Sequence, residues 1–213
     1  KLGKEAGLEQ HIINVESTRT ASAATVATTV AAATKLERVR RTMIFGDLKG
    51  FSKLSDGQLP NYVDHVLGAC ADVLERYSPA LQFSNTWGDG LFLVFDDIEQ
   101  AAECAFELQE AIATIDHAAH NLPNTLGLRL GFHYGPVYMI RDPVLDRVNC
   151  FGFHVSRAAR IEPITPEGSV YVTEQTAAAI ALTGLNGYRC DYVGQQPLAK
   201  GYGSIPMYHL RRI

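Results

Sequence analysis

The chain is poor in the features that mark several common protein classes. Its four cysteines, Cys70, Cys104, Cys150 and Cys190, are widely separated and form no C-x-x-C pair. That spacing reads as reduced thiols in a reducing, cytoplasmic compartment, and it excludes a disulfide frame or a zinc-ribbon pattern. Basic charge is also lacking. With 19 Lys and Arg against 23 Asp and Glu, the net charge is -4, so no broad nucleic-acid footprint is expected. No apolar run approaches the ~20 residues of a membrane span. The stretch Ala21 to Thr34 is broken by hydroxyl residues and lacks the strongly apolar centre of a signal peptide. The chain begins on Lys1, which leaves its natural start open. Aromatic residues and proline are absent from residues 1–38. That segment is expected to be an arm or helical linker, or partly disordered. Residues 39–213 are expected to form one domain with a sizeable core.

From Arg40 onward, apolar runs alternate between the two periods of secondary structure. Thr42 to Leu48 reads as a buried strand, and Leu59 to Tyr77 carries apolar residues at helical spacing. Leu81 to Trp87 and Leu91 to Phe95 read as a hairpin closed by Gly88-Asp89-Gly90. Ile98 to Ile115 follows as a helix with acidic residues in its first turns. Leu126 to Tyr134 and Val137 to Arg141 read as a strand pair around Gly135-Pro136. A helix is expected from Gly152 to Ile161, stopped by Pro163, then a strand over Ser169 to Thr173 and a helix over Glu174 to Leu182. Tyr188 to Val193 and Ile205 to Leu210 are the last strands. This order predicts an α+β sandwich, ferredoxin-like β-α-β-β-α-β, with extra C-terminal strands and a helix.

Asp47 ends the first strand and Asp89 sits in the hairpin turn. A lone aspartate at a strand end is as often a turn cap or a solvated charge as a ligand. Two on adjacent strands suit divalent cations, whose hard oxygen ligands are carboxylates and phosphate oxygens. The carbonyl of Leu48 is a further expected ligand. The segment Gly50-Phe51-Ser52 follows at once, and glycine there allows close backbone approach to a phosphate. A helix starting there would turn free N–H groups toward an anion; the plainer reading is a strand-to-helix turn. Arg160 without further context reads as a surface helix arginine paired with Glu162 or another acid, and His133 and His154 as structural histidines. Arg157 suits either the substrate or a partner.

Taken together, three segments resemble signatures of the class III nucleotidyl cyclases. Phe45-Gly46-Asp47-Leu48-Lys49-Gly50-Phe51-Ser52 is similar to F-x-D-[IL]-x-G-F-[ST]. Gly88-Asp89-Gly90 is similar to the second metal site. Phe151-Gly152-Phe153-His154-Val155-Ser156-Arg157-Ala158-Ala159-Arg160 is similar to W-G-x-x-V-N-x-A-x-R. The resemblance implies the class III cyclase fold, two Mg2+ or Mn2+ ions on Asp47, Leu48 and Asp89, and a nucleoside triphosphate substrate. It also implies a head-to-tail homodimer in which one copy gives Asp47 and Asp89 and the other gives Ser156 and Arg160, four residues apart on one helix face. Arg160 would then stabilise charge on the reacting phosphate. Ser156 stands where the family has an asparagine that orients the ribose. Lys200, in Leu198-Ala199-Lys200-Gly201, is placed as a ligand of the terminal phosphates, although the family's usual lysine falls at Tyr202.

The base-reading positions depart from the family pattern. Asn85 and Asn149 stand where adenylate-type members carry lysine and aspartate. Such amides, flanked by Trp87 and Phe153, suit the edge of a smaller base. The pattern is similar to that of the short bacterial cyclases that make cyclic UMP or cyclic CMP in defence against phage. Cyclic UMP from UTP is the expectation, with cyclic CMP or a purine product as alternatives. A catalytically degenerate nucleotide-binding domain is the other reading. The tight acidic hairpins of diguanylate cyclases and polymerase palms fit Gly90-Leu91 poorly.

Overall fold

The computed structural model describes residues 36–213; the expected N-terminal arm falls almost wholly outside them. Strand β1 (Val39–Lys49) is followed by a composite helix α1, in which Leu59–Asn61 and Gly68–Arg76 are α-helical and Tyr62–Leu67 is π-helical. Strands β2 (Leu81–Trp87) and β3 (Gly90–Phe95) precede helix α2 (Ile98–Thr114). Next come β4 (Gly127–Asp142), β5 (Arg147–Phe151), the short helix α3 (Phe153–Ala158), β6 (Val170–Thr173), α4 (Glu174–Thr183), β7 (Tyr188–Pro197) and β8 (Ser204–Arg212). The sheet runs β2-β3-β1-β4-β6-β8-β7, with β5 paired to β4. Only the β4–β6 pairing is parallel. The α+β sandwich and its additional C-terminal strands agree with the expectation.

Strand alternation divides the sheet into two differently covered faces. Ile44 and Leu48 of β1, Leu93 of β3 and Leu130 of β4 join the large core under α1 and α2. Met43 of β1, Phe83 of β2 and Phe92 of β3 face the other way and pack with Ala158 of α3. The inward positions of α1 are Tyr62, Val66, Cys70 and Val73, and Tyr77 follows at its C-cap, all buried. Two successive steps of four are wider than one 3.6-residue turn, and the π-helical stretch takes up the difference. Helix α2 starts sharply because Asp97 caps it, its Oδ1 accepting from Glu99 N at 2.8 Å and Gln100 N at 3.0 Å.

Two expectations need correction. The segments Leu126 to Tyr134 and Val137 to Arg141 do not pair with each other. They are one continuous strand, in register with β1 from Gly127↔Lys49 to Val137↔Val39. The opposite edge of β4 pairs with β6 only at Leu130 to Phe132 and with β5 only from Tyr138 onward. Pro136 lies in the gap, where a missing N–H costs no ladder bond on that edge. The true hairpin partner is β5, which the periodicity did not reveal.

The second correction concerns α3. It ends at Ala158, short of Ile161, and tightens into a turn in which Arg160 N donates to Arg157 O at 3.0 Å and Ile161 N to Ala158 O at 3.1 Å. Gly131 on β4 explains the early stop. A Cβ there would stand 2.5 Å from Glu162 N and 2.9 Å from Ile161 Cβ, so the bare glycine admits the chain after α3 against the sheet. Ile161 is fully buried there. Arg160 therefore leaves the helix instead of sharing a helix face with Ser156.

Candidate active site

The end of β1 and the β2–β3 turn meet edge to edge. Asp47 lies opposite Gly90, and Leu48 N donates to Asp89 O at 3.1 Å. Glycines make this approach possible. Gly88 holds φ 65 in the turn, and a Cβ on Gly90 would fall 2.4 Å from Nε1 of the Trp87 indole. Burial pushes the Asp47 carboxyl above its ordinary range, Arg129 pulls it back, and the neighbouring Asp89 carboxylate raises it again. The two aspartates are thus placed against each other in a half-buried setting with a guanidinium as counter-charge.

That arrangement fits a divalent cation, which would remove the repulsion between the carboxylates. No cluster of three or more His, Cys, Asp or Glu residues suited to a metal occurs among the described residues. The remaining ligands would be carbonyl, water and phosphate oxygens, the set that Mg2+ and Mn2+ favour.

Arg129 is the residue that sequence reasoning missed. It stands directly opposite Asp47 in the β1–β4 register. Its Nη2 lies 2.8 Å from Asp47 Oδ2, and its Nε donates to the same oxygen at 3.0 Å. Nε also lies 2.6 Å from Glu162 Oε1, at an angle that makes it a charge contact without a hydrogen bond. Glu162 therefore belongs to Arg129, and the expected pairing of Glu162 with Arg160 is not found. Arg129 alternates with Leu128, Leu130 and Phe132, so it lies on the face opposite those core residues, a position that by itself reads as an ordinary solvent-facing charge.

The remaining site residues fall into three groups. Gly50 takes φ 94 and opens a three-residue 3-10 turn, Phe51–Lys53, not a long helix. The N–H groups of Lys53 and Leu54 turn back to Gly50 O and Phe51 O, at 3.1 and 2.9 Å, so they are not aimed at an anion. Phe51 packs edge-on against Tyr62, 4.9 Å between centroids, and Tyr62 Oη donates to Gly88 O at 3.2 Å. Phe51 thus supports the aspartate turn from below, while Ser52 is exposed.

The second group lies around α3. Ser156 is exposed on the helix. Arg157 covers the Phe153 ring at 5.1 Å, and Arg160 covers the Tyr202 ring at 5.1 Å. The Arg160 Nε is buried with no hydrogen-bond partner. Lys200 sits in the turn before β8 with φ 60 and is exposed. The third group is the base-reading pair. Asn85 Oδ1 accepts from Arg147 Nη2 at 3.0 Å. Asn149 is engaged at both ends, donating from Nδ2 to Asp142 Oδ2 at 2.9 Å and accepting at Oδ1 from Cys150 N at 2.7 Å.

His133 and His154 form a buried relay away from the aspartates. His133 Nδ1 lies 2.8 Å from Thr173 Oγ1 and its Nε2 lies 2.7 Å from His154 Nδ1. Gly135 makes room, since a Cβ there would stand 2.3 Å from His154 Nδ1. Burial, then His154 and Arg157, push the His133 imidazole down to about 3. The folded chain therefore keeps it neutral, while the unfolded chain protonates it near its ordinary 6.5. Between those values the unfolded state binds more protons, so stability falls as pH drops below 6.5, by up to ~1.4 kcal/mol per pH unit. Urea unfolding at pH 7 and pH 5 is expected to show this loss, and His133→Gln to remove most of it.

The fold agrees with what comparison with known proteins finds. The model of the adenylate and guanylate cyclase catalytic domain matches residues 33–212, and the chain belongs to that family. A protein named putative adenylate cyclase 3, from Rhizobium meliloti (strain 1021), is 31% identical over 146 residues. The match covers 65% of this chain and 23% of that relative, so the chain spans under a quarter of its length. The guanylate cyclase domain of RhGC from Catenaria anguillulae, solved in complex with GTP, superimposes with a TM-score of 0.68 at 19% identity, over 83% of this chain and 97% of that one. The adenylyl cyclase CyaB from P. aeruginosa superimposes at 0.67 with 17% identity, over 83% and 96%. At these identities the structures establish the fold.

Proposed function

We propose that this chain cyclises a ribonucleoside triphosphate to its 3′,5′-cyclic nucleotide, releasing pyrophosphate. The observation that carries the reading is the juxtaposition of Asp47 and Asp89 across the β1–β3 register, with Arg129 as counter-charge. Asp47 and Asp89, with the Leu48 carbonyl, would hold two Mg2+ or Mn2+ ions. Those ions, when bound, acidify the ribose 3′-hydroxyl and neutralise the leaving pyrophosphate. The chain's own part is positioning and charge, as suits phosphoryl transfer. The 3′-oxygen bonds to the α-phosphorus, the bond to the β-phosphate oxygen breaks, and the hydroxyl proton passes to solvent. Arg129, tied to Asp47 here, would add positive charge for phosphate oxygens beside the aspartates. Gly50, Phe51, Ser52 and Lys200 are the proposed surroundings of the terminal phosphates, with Phe51 acting by supporting the turn.

The active form in this reading is a head-to-tail homodimer, in which Ser156 and Arg160 of one copy complete the aspartates of the other. Supporting it, Trp87 and Phe153 are 52% and 58% exposed, and the Arg160 Nε is buried without a protein partner. The proposed substrate is UTP and the product cyclic UMP, with Asn85 and Asn149 at the base and Trp87 and Phe153 narrowing the pocket. The second messenger would act in the cytoplasm, in defence against phage, with residues 1–38 as an arm ahead of the catalytic domain. No helix among the described residues is long and apolar enough to cross a membrane. A purine product is the second reading, favoured by the Rhizobium relative's name as a putative adenylate cyclase. Mass spectrometry of products from an equimolar mixture of the four ribonucleoside triphosphates with Mn2+ decides between them. Cyclic UMP as the main product supports the first; cyclic AMP or cyclic GMP overturns it.

A further inference from the structure

We propose that Arg147 locks the Asn85 amide as a hydrogen-bond donor, so that the site selects bases with an exocyclic keto oxygen over those with an exocyclic amine. The inference rests on the cyclase reading above, which sets Asn85 at the base. Arg147 lies on β5, a strand that the sequence pattern did not reveal, and its Nη2 reaches Asn85 Oδ1 on β2 at 3.0 Å. A guanidinium only donates. The amide must therefore turn its oxygen to Arg147, because the flipped orientation would set NH2 against N–H. The arginine is itself held: its guanidinium carbon sits 4.8 Å above the centroid of the buried Phe83 ring, which in turn packs on Phe92 at 5.5 Å.

Asn85 thus keeps its oxygen turned toward Arg147 and both Nδ2 hydrogens turned away from it, and no group accepts from them among the described residues. Its companion Asn149 is tied at both ends, one N–H to Asp142 and one lone pair to Cys150 N, which fixes its orientation and leaves it one N–H and one lone pair. Of the two amides, Asn85 has its NH2 wholly unspent and presents it as a donor. Uracil and guanine carry a keto oxygen at the exocyclic position and accept from it. Cytosine and adenine carry an amine there, which would set donor against donor and leave both unpaired. Of the two keto bases, the smaller suits the position between Phe83 and the Trp87 indole on the same face of β2.

Initial rates of the purified chain with Mn2+ test this, each triphosphate supplied separately. The wild type is expected to favour UTP over CTP in kcat/KM by at least about tenfold. Arg147→Ala frees the amide to rotate, and the ratio is expected to fall to within about threefold. Asn85→Asp presents an acceptor and is expected to reverse the preference toward CTP. Arg147 is exposed, so a thermal melt of Arg147→Ala should match the wild type and exclude misfolding. A UTP-to-CTP ratio unchanged in Arg147→Ala, or absent in the wild type, overturns the lock and leaves the cyclase reading standing. A wild type that forms no cyclic product from any triphosphate overturns both.

Discussion

Asp47→Ala is expected to lower the rate of cyclic nucleotide formation by at least ~1,000-fold, because a carboxylate that seats the cations is lost while the transition state still needs its charge neutralised. The fold should survive. Asp47 is half-buried, and burial together with Asp89 already disfavours its charged form, so its removal relieves a repulsion. Arg129 keeps Glu162 as a charge partner. The thermal midpoint is therefore expected to stay within a few degrees of the wild type. Asp47→Asn should lose as much activity, since its shape is kept but its charge is gone. Product formation measured by chromatography, beside a thermal melt, checks both halves. A variant retaining a tenth of the wild-type rate would remove Asp47 from the cation site.

The second large effect comes from mixing variants. Asp47→Ala and Arg160→Ala should each be inactive alone. In a head-to-tail dimer that combines them, one composite site carries both lesions and the other carries neither. Random exchange makes half of the dimers mixed, each with one of two sites intact, so an equal mixture should recover about a quarter of the wild-type rate. The position of Arg160 sharpens the expectation. It lies beyond the end of α3, over Tyr202, with its Nε buried and without a partner, so it is held at the surface by stacking and not by an ion pair. A mixture as inactive as its components would place Asp47 and Arg160 in the same site of one copy.

How much of this was legible in the sequence depends on how local each cause is. The two aspartates were legible because each ends or opens a short continuous apolar run, and the turn between β2 and β3 is written in Gly88-Asp89-Gly90. Their adjacency followed from the β-α-β-β order. Arg129 was not legible as a partner of Asp47, because the pairing spans 82 residues and exists only through the β1–β4 register. The break assigned at Gly135-Pro136 failed for the same reason: local turn chemistry was outweighed by eleven consecutive register pairs with β1. The end of α3 is set by a glycine on another strand, Gly131, and no residue within the helix announces it. Gly50 was singled out for close backbone approach; its left-handed conformation, and the turn that closes the Lys53 and Leu54 N–H groups on Gly50 O and Phe51 O, emerge only in the fold. The two asparagines could be named from the sequence, but their hydrogen-bonding states depend on Arg147 and Asp142, which only the β4–β5 hairpin brings near.

The most direct test of the account is the stoichiometry of the reaction. The purified chain, incubated with Mn2+ and UTP, is expected to release one pyrophosphate for each 3′,5′-cyclic nucleotide formed, with both products lost on adding a chelator or on Asp47→Ala. Triphosphate binding without release of either product, from any of the four nucleotides, would contradict it and leave a nucleotide-binding domain in place of an enzyme.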